Sequence, residues 1–182
     1  KEKGHILLGN GYELIPIKKE SKIPAISGWQ NTKATPEDIE NWANNLHQGG
    51  YGVLTSRTPA IDIDCHDEAI TQKMVDYCER VLGIAPKRVG LPPKVLLVYR
   101  TEAPFKKISS PTFEDSSGVK HKVEILGEGQ QFVAFGIHPE TKKSYSWPEK
   151  SILEIPHNQL PWLTMEQAQE VVDYFESIVP KT

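Results

Sequence analysis

Two aspartates, Asp62 and Asp64, stand one residue apart in the short apolar segment Ala60–Asp64. Side chains alternate between the two faces of a strand, so both carboxylates point to the same face, roughly 7 Å apart. At that distance they repel each other in a partly dry site, and a hard divalent cation such as Mg²⁺, which prefers carboxylate oxygen, removes the repulsion. The pair therefore indicates a metal site, although the end of a strand with one solvated face has the same pattern.

A third acid, Glu124, lies in a second predicted strand, where Val123 and Ile125 face one side and Lys122 and Glu124 the other. Next to an Asp-x-Asp strand, one more carboxylate completes the usual ligand set for two metal ions. We therefore predict that Asp62, Asp64 and Glu124 are the catalytic residues and hold two ions, Mg²⁺ or Mn²⁺.

Several cations lie in stiff, turn-rich segments. Lys87, Arg88 and Lys94 fall in a stretch with one glycine and two adjacent prolines, which suits a polyanion such as a triphosphate. Lys22 precedes Pro24 in a loop that also carries Trp29, and an ordinary surface loop with a tryptophan anchored in the core fits that loop equally well.

Helices and strands must position these side chains. Thr35, Asp67 and Thr164 each stand before an amphipathic segment and predict helix starts, the first helix placing Ile39, Trp42 and Leu46 on one face. The last helix extends from residue 164 towards 182. Apolar runs predict strands at Tyr51–Thr55, Val95–Tyr99 and Gln131–Phe135.

Composition limits the function classes. The chain has 182 residues and a formal net charge of −3, so any nucleic-acid contact must use a local basic patch. Two cysteines exclude a disulfide framework and favour a reducing cytoplasm, and no apolar run is long enough to predict a membrane span. A length of 182 residues and a hydrophobic content of 38% suit one globular domain, residues 1–182. Because the first residue is lysine, we expect this domain to be excised from a longer chain.

The order of these motifs resembles the bifunctional primase–polymerase (Prim-Pol) branch of the archaeo-eukaryotic primase superfamily, over roughly residues 11–147. The resemblance lies in Gly11-Tyr12 to Ile17, Lys22-x-Pro24 with Trp29, Gly52 to Thr55, Ile61-Asp62-Ile63-Asp64, Val123-Glu124, and Val133 to His138 followed by Tyr145-x-Trp147. It implies an α/β (α+β) fold with a central mixed sheet flanked by helices and an active-site cleft between two lobes. It also implies template-directed nucleotidyl transfer from NTP or dNTP on single-stranded DNA, and a helicase module elsewhere in the full-length chain.

One departure from the family pattern concerns its second motif, which usually ends in a histidine that contacts nucleotide phosphate. The equivalent segment reads Pro92-Pro93-Lys94. We predict that Lys94, with Lys22, Arg88 and His138, binds the phosphates instead. The template is predicted to contact Trp29, Phe105, Lys106 and Lys107, with the two aromatic rings stacking on bases.

Two other function classes share these features. A metal-dependent nuclease also uses three acids and two ions, and a non-catalytic module that binds single-stranded DNA or an origin could keep the fold without the chemistry. The nuclease would shorten strands, whereas the transferase would extend them. An intact acidic cluster argues against the binding module, since unused carboxylates held together only cost electrostatic energy.

Overall fold

The computed structural model describes residues 1–45 and 48–180. Leu46, predicted to lie on the inner face of the first amphipathic helix, and residues 181–182 of the predicted last helix are outside the described residues. The helices are α1 (Glu2–Gly9), α2 (Pro36–Asn45), α3 (Glu68–Leu82) and α4 (Met165–Ile178). The strands are β1 (Leu14–Lys18), β2 (Gln48–Leu54), β3 (Ala60–Asp64), β4 (Lys87–Arg88), β5 (Val95–Val98), β6 (Ile108–Ser109), β7 (Phe113–Glu114), β8 (Lys120–Leu126) and β9 (Gln131–Phe135).

The strands form two sheets. The larger one has the order β4-β5-β3-β8-β6, with β7 also paired to β8, and the smaller one has the order β1-β2-β9. The α/β class is confirmed. Every ladder between these strands is antiparallel, however, in place of the expected mixed sheet. Apolar runs in the sequence predict where strands lie. Whether two strands pair in parallel or antiparallel depends on the path of the connection between them, which the runs do not predict.

Local signals set the helix starts. The Asp67 carboxylate accepts a hydrogen bond from the Ile70 amide at the start of α3, and Thr164 and Gln167 form a reciprocal capping box at the start of α4. Thr35 and Asp38 exchange the equivalent bonds before α2.

Two hydrophobic cores lie on opposite faces of the larger sheet. On one face, Ile61, Ile63, Val123 and Ile125 pack with α3 and α4. On the other face, Ala60, Leu96, Val98 and Leu126 pack with the smaller sheet, α1 and α2. Because Asp62 and Asp64 alternate with the buried isoleucines, they lie on the second face, towards the smaller sheet. The two sheets are the two lobes, and the acids lie where the lobes meet.

Among residues 1–45 and 48–180, none of the helices combines the length and the apolar character needed to cross a bilayer.

Candidate active site

Strand register brings the acids together. Asp62 on β3 lies directly opposite Glu124 on β8 and Leu96 on β5, and Leu96 in turn lies opposite Arg88 on β4. Directly opposed residues have Cβ atoms about 5 Å apart, so Glu124 is an immediate neighbour of Asp62 although about 60 positions separate them in sequence. The structure therefore places all three predicted acids on one side of the larger sheet.

Lysines form ion pairs with two of the three acids. Lys94 Nζ lies 2.7 Å from Asp64 Oδ1, while Lys122 and Lys107 lie 2.7 and 2.5 Å from the two oxygens of Glu124. Burial acts to raise the pKa of Glu124, but these two ammonium groups outweigh it and leave the pKa below its usual value. Glu124 is therefore ionised at neutral pH and compensated by charges from two segments of the chain.

Asp62 is the exception. No ion pair or hydrogen bond of its carboxylate occurs within the described chain. Burial raises the pKa of Asp62, the nearby charges of Asp64 and Glu124 raise it further, and Arg88 and Lys22 only partly offset them. A carboxylate in that situation is stabilised by a further cation beside it.

A narrow cleft of about 90 Å³ joins the aspartates to the residues predicted to bind phosphate. Its wall contains Lys22, Asp62, Asp64, Arg88, Lys94, His138, Glu140 and Tyr145. The structure thus brings together all four cationic candidates, Lys22 as an exposed loop residue and the other three from the body of the domain.

Arg88 is held in place more firmly than the lysines. Its Nη1 donates a hydrogen bond of 2.6 Å to the Val133 carbonyl of the smaller sheet, and its guanidinium lies 4.7 Å from the centre of the Tyr145 ring. Its Nε has no hydrogen-bond partner among the described residues. Arg88 therefore ties the two lobes together and adds a fixed positive charge near Asp62.

His138 is 3% exposed, and its Nδ1 accepts hydrogen bonds from the backbone amides of Glu140 and Thr141. Burial lowers the pKa of His138, and the charges of Lys22, Arg88 and Lys94 lower it further. The ring is therefore neutral at pH 7, with its proton on Nε2, the nitrogen that remains able to donate.

The predicted template residues do not lie together. Phe105 is only 5% exposed and packs in the core beneath α3 and α4, so the prediction that its ring stacks on bases is wrong. Lys107 binds Glu124 and thus belongs to the acidic group, whereas Lys106 is exposed in the loop beside it. Trp29 is half-buried against a small cluster on the smaller sheet.

Two residues of the site carried no signal that sequence reasoning used. Ser109 on β6 lies opposite Glu124, with its Oγ 3.4 Å from Oε2, and Tyr145 forms the wall between Arg88 and His138. The position of Ser109 depends on the register between β6 and β8, and that of Tyr145 on the path of the loop after β9. Tyr145 belongs to the family pattern, but that pattern assigns it no role.

Whether metal ions fit the site depends on the donor set. Asp62, Asp64 and Glu124 offer only hard oxygen donors, as Mg²⁺ and Mn²⁺ require, and the charge of Asp62, which Arg88 and Lys22 offset only in part, favours a cation beside it. Within the described residues, no three His, Cys, Asp or Glu side chains are gathered closely enough to hold an ion as they stand. To share an ion, the three carboxylates would have to approach one another, and the lysines paired with Asp64 and Glu124 would have to move aside.

Comparison with protein families identifies a model that matches most of the chain. The family model described as Prim-Pol, bifunctional DNA primase/polymerase, N-terminal, matches residues 5–162, which include the acids, the cations of the cleft and both sheets. The sequence matches no curated protein.

Proposed function

Because the chain belongs to the bifunctional DNA primase/polymerase family, we propose that it makes or extends primers on single-stranded DNA by two-metal nucleotidyl transfer. The family implies a primase or polymerase that acts on DNA and nucleotides and generally uses divalent metals.

One observation carries it: Asp62 and Asp64 share a strand face with Glu124 directly opposite Asp62, and the cleft beside them is lined by cations. In nucleotidyl transfer, carboxylates that would hold metal and cations that would hold a triphosphate must be neighbours, because the metal would also balance charge on the phosphates. Asp62 and Asp64 line one cleft with these cations, and Glu124 lies directly opposite Asp62 on the neighbouring strand.

Each residue has a distinct task in the proposal. Asp62, Asp64 and Glu124 would hold the ions, which when bound would lower the pKa of the attacking 3′-hydroxyl and balance charge on the leaving pyrophosphate. Lys22 and Lys94 would neutralise the triphosphate as mobile point charges.

Two further residues of the cleft, Arg88 and His138, would orient the triphosphate. Arg88, fixed by Val133 and Tyr145, supplies a charge that does not reorganise. His138 would donate a hydrogen bond from Nε2 as a neutral imidazole, in place of the histidine absent from the second motif.

The test is extension of a labelled primer on single-stranded DNA, with dNTP and NTP supplied separately and Mg²⁺ or Mn²⁺ present; an unprimed template is run beside it. Loss of an outer-shell metal partner typically costs 10–100-fold, so Asp62→Asn or Asp64→Asn should reduce extension at least about 100-fold. Asp76→Asn, on the exposed side of α3, is the matched control and should extend normally.

The products separate the three function classes. Longer strands with pyrophosphate release support the proposal. Shortened primers would instead identify a nuclease, and DNA binding without either product would identify a binding module.

A further inference from the structure

Six exposed lysines gather around one end of the smaller sheet. We call them the basic rim: Lys1, Lys3, Lys18, Lys19, Lys142 and Lys143. They come from three separate parts of the chain, namely α1, the end of β1 and the loop after β9. Their proximity is a product of the fold and is not visible in the sequence.

Backbone contacts connect the segments of the rim. Lys18 pairs with Gln48, and a Cβ on Gly49 would collide with the Cα of Lys19. On the other side of β2, a Cβ on Gly50 would collide with the Phe135 carbonyl. The backbones of β1, β2 and β9 are therefore packed closely at this end of the sheet, which brings the segments that carry the lysines together.

The rim borders a cavity of about 260 Å³ that approaches the cleft. Lys1 and Lys3 line the cavity together with Gly49, Gly50 and Gly136, and Lys3 Nζ lies 5.1 Å from the centre of the Phe135 ring. Tyr145 lines both this cavity and the cleft that contains Asp62 and Asp64. The cavity and the cleft therefore adjoin at the Tyr145 side chain.

Most of the rim charge is not neutralised within the protein. Lys1 pairs with Glu40 at 3.0 Å, and Lys142 approaches Glu20 only to 3.8 Å. In the part of the chain that the structure describes, Lys3, Lys18, Lys19 and Lys143 form no ion pair. Without the six rim lysines the chain has 15 basic and 24 acidic side chains, so the rim is a local concentration of positive charge on a chain that is otherwise net negative.

We propose that the basic rim binds the phosphate backbone of single-stranded nucleic acid and leads it past Tyr145 to the catalytic cleft. The proposal rests on the proposed function, because it identifies where the template of that reaction lies. Lysines on flexible stems bind phosphates as point charges without reading bases, so binding is independent of sequence and strongly salt-dependent. It replaces the predicted surface around Phe105, which is buried.

The experiment measures binding of the full 182-residue chain to a fluorescent 20-nucleotide oligo-dT by anisotropy, without nucleotide, over a series of salt concentrations. The test variant is Lys19→Gln with Lys143→Gln. Its matched control is Lys73→Gln with Lys120→Gln, two exposed lysines of the other lobe. All four substitutions remove a charge from the surface, and thermal unfolding verifies that both variants remain folded.

Each phosphate contact on a single strand contributes about 0.7 to the slope of log K against log salt, so the rim variant should lose about 1.4 of that slope. By the same relation its affinity at 50 mM salt should fall by up to about 60-fold. The control variant should bind as the wild type does. Wild-type binding by the rim variant, an equal loss in the control, or no oligo-dT binding by the wild type would overturn the proposal.

Nucleotide titration in Mn²⁺ separates this proposal from the proposed function. The rim variant should keep wild-type nucleotide affinity, since none of its changes lies in the cleft. If the wild type extends no primer while the rim variant still loses DNA affinity, the proposed function fails and the rim stands. If extension occurs normally and DNA affinity does not depend on the rim, the rim fails and the function stands.

Discussion

Replacing Lys94 with alanine should change metal and nucleotide binding in opposite directions. The Lys94 ammonium lies 2.7 Å from Asp64 Oδ1, where it competes with any cation that approaches that carboxylate. The two side chains are 29% and 31% exposed, so solvent screens the pair, and its worth is about 1 kcal/mol or less. At 1.36 kcal/mol per tenfold, Lys94→Ala should therefore raise Mn²⁺ affinity by up to about fivefold.

The effect on nucleotide has the opposite sign. A charged hydrogen bond to phosphate is worth about 1.5–3 kcal/mol, so the affinity for dATP at saturating Mn²⁺ should fall about 10- to 150-fold. Lys94→Arg should retain part of that affinity, because it keeps the charge.

Isothermal titration of the metal-free protein with Mn²⁺, followed by titration of the Mn²⁺ form with dATP, measures both quantities. Lys87→Ala is the matched control. That lysine is likewise partly buried in ion pairs, with Glu79 and Glu149, but does not line the cleft. The reasoning is refuted if Lys94→Ala weakens Mn²⁺ binding or leaves dATP affinity unchanged.

Two further predictions concern stability without metal, measured by urea unfolding in EDTA. The pKa of Asp62 is higher in the folded state than in the unfolded state, so ionisation of Asp62 destabilises the fold. This loss of stability develops as pH rises from about 4, the unfolded pKa, through the folded pKa. Asp62→Asn should therefore stabilise the protein at pH 7 but not at pH 4; equal effects at both pH values would contradict the assignment. The pKa of Glu124 is lower in the folded state, so ionisation of Glu124 stabilises the fold. This stabilisation is fully present above the unfolded pKa and is lost as pH falls through the folded pKa. Lys107→Met should cost about 0.5–1 kcal/mol at pH 7 and less in acid, whereas Lys106→Met, one position away, should cost nothing measurable.

Sequence reasoning succeeded where the signal is local. Helix starts at Asp67 and Thr164 follow from a side chain and an amide three residues away, and the shared face of Asp62 and Asp64 follows from strand geometry alone. It failed at Phe105, because burial of an aromatic residue in a loop is decided by α4, which begins about 60 residues later. The residues around Phe105 do not indicate whether its ring is buried, because α4 covers the ring only in the folded chain.

The same limit explains Lys107. Its position next to Phe105 suggested a template surface, but the chain bends so that β6 joins β8, with Ser109 opposite Glu124. That pairing directs the Lys107 ammonium to the Glu124 carboxylate. The direction of a long side chain at the edge of a sheet depends on which strand the edge joins, and no pattern within the loop specifies it.

The positive charges beside the three acids fall into two kinds, and the difference bears on how a metal ion would reach the acids. Lys94, Lys107 and Lys122 contact the acids through single ammonium groups on flexible stems, and each is 29–41% exposed, so each can return to water at low cost. Arg88 cannot, because the Val133 carbonyl and the Tyr145 ring hold its guanidinium between the lobes. A divalent ion that displaces a lysine therefore leaves no buried charge uncompensated, while Arg88 keeps a fixed positive charge near Asp62 throughout. We infer that the lysines act as exchangeable counterions of the acids and that Arg88 is the permanent one.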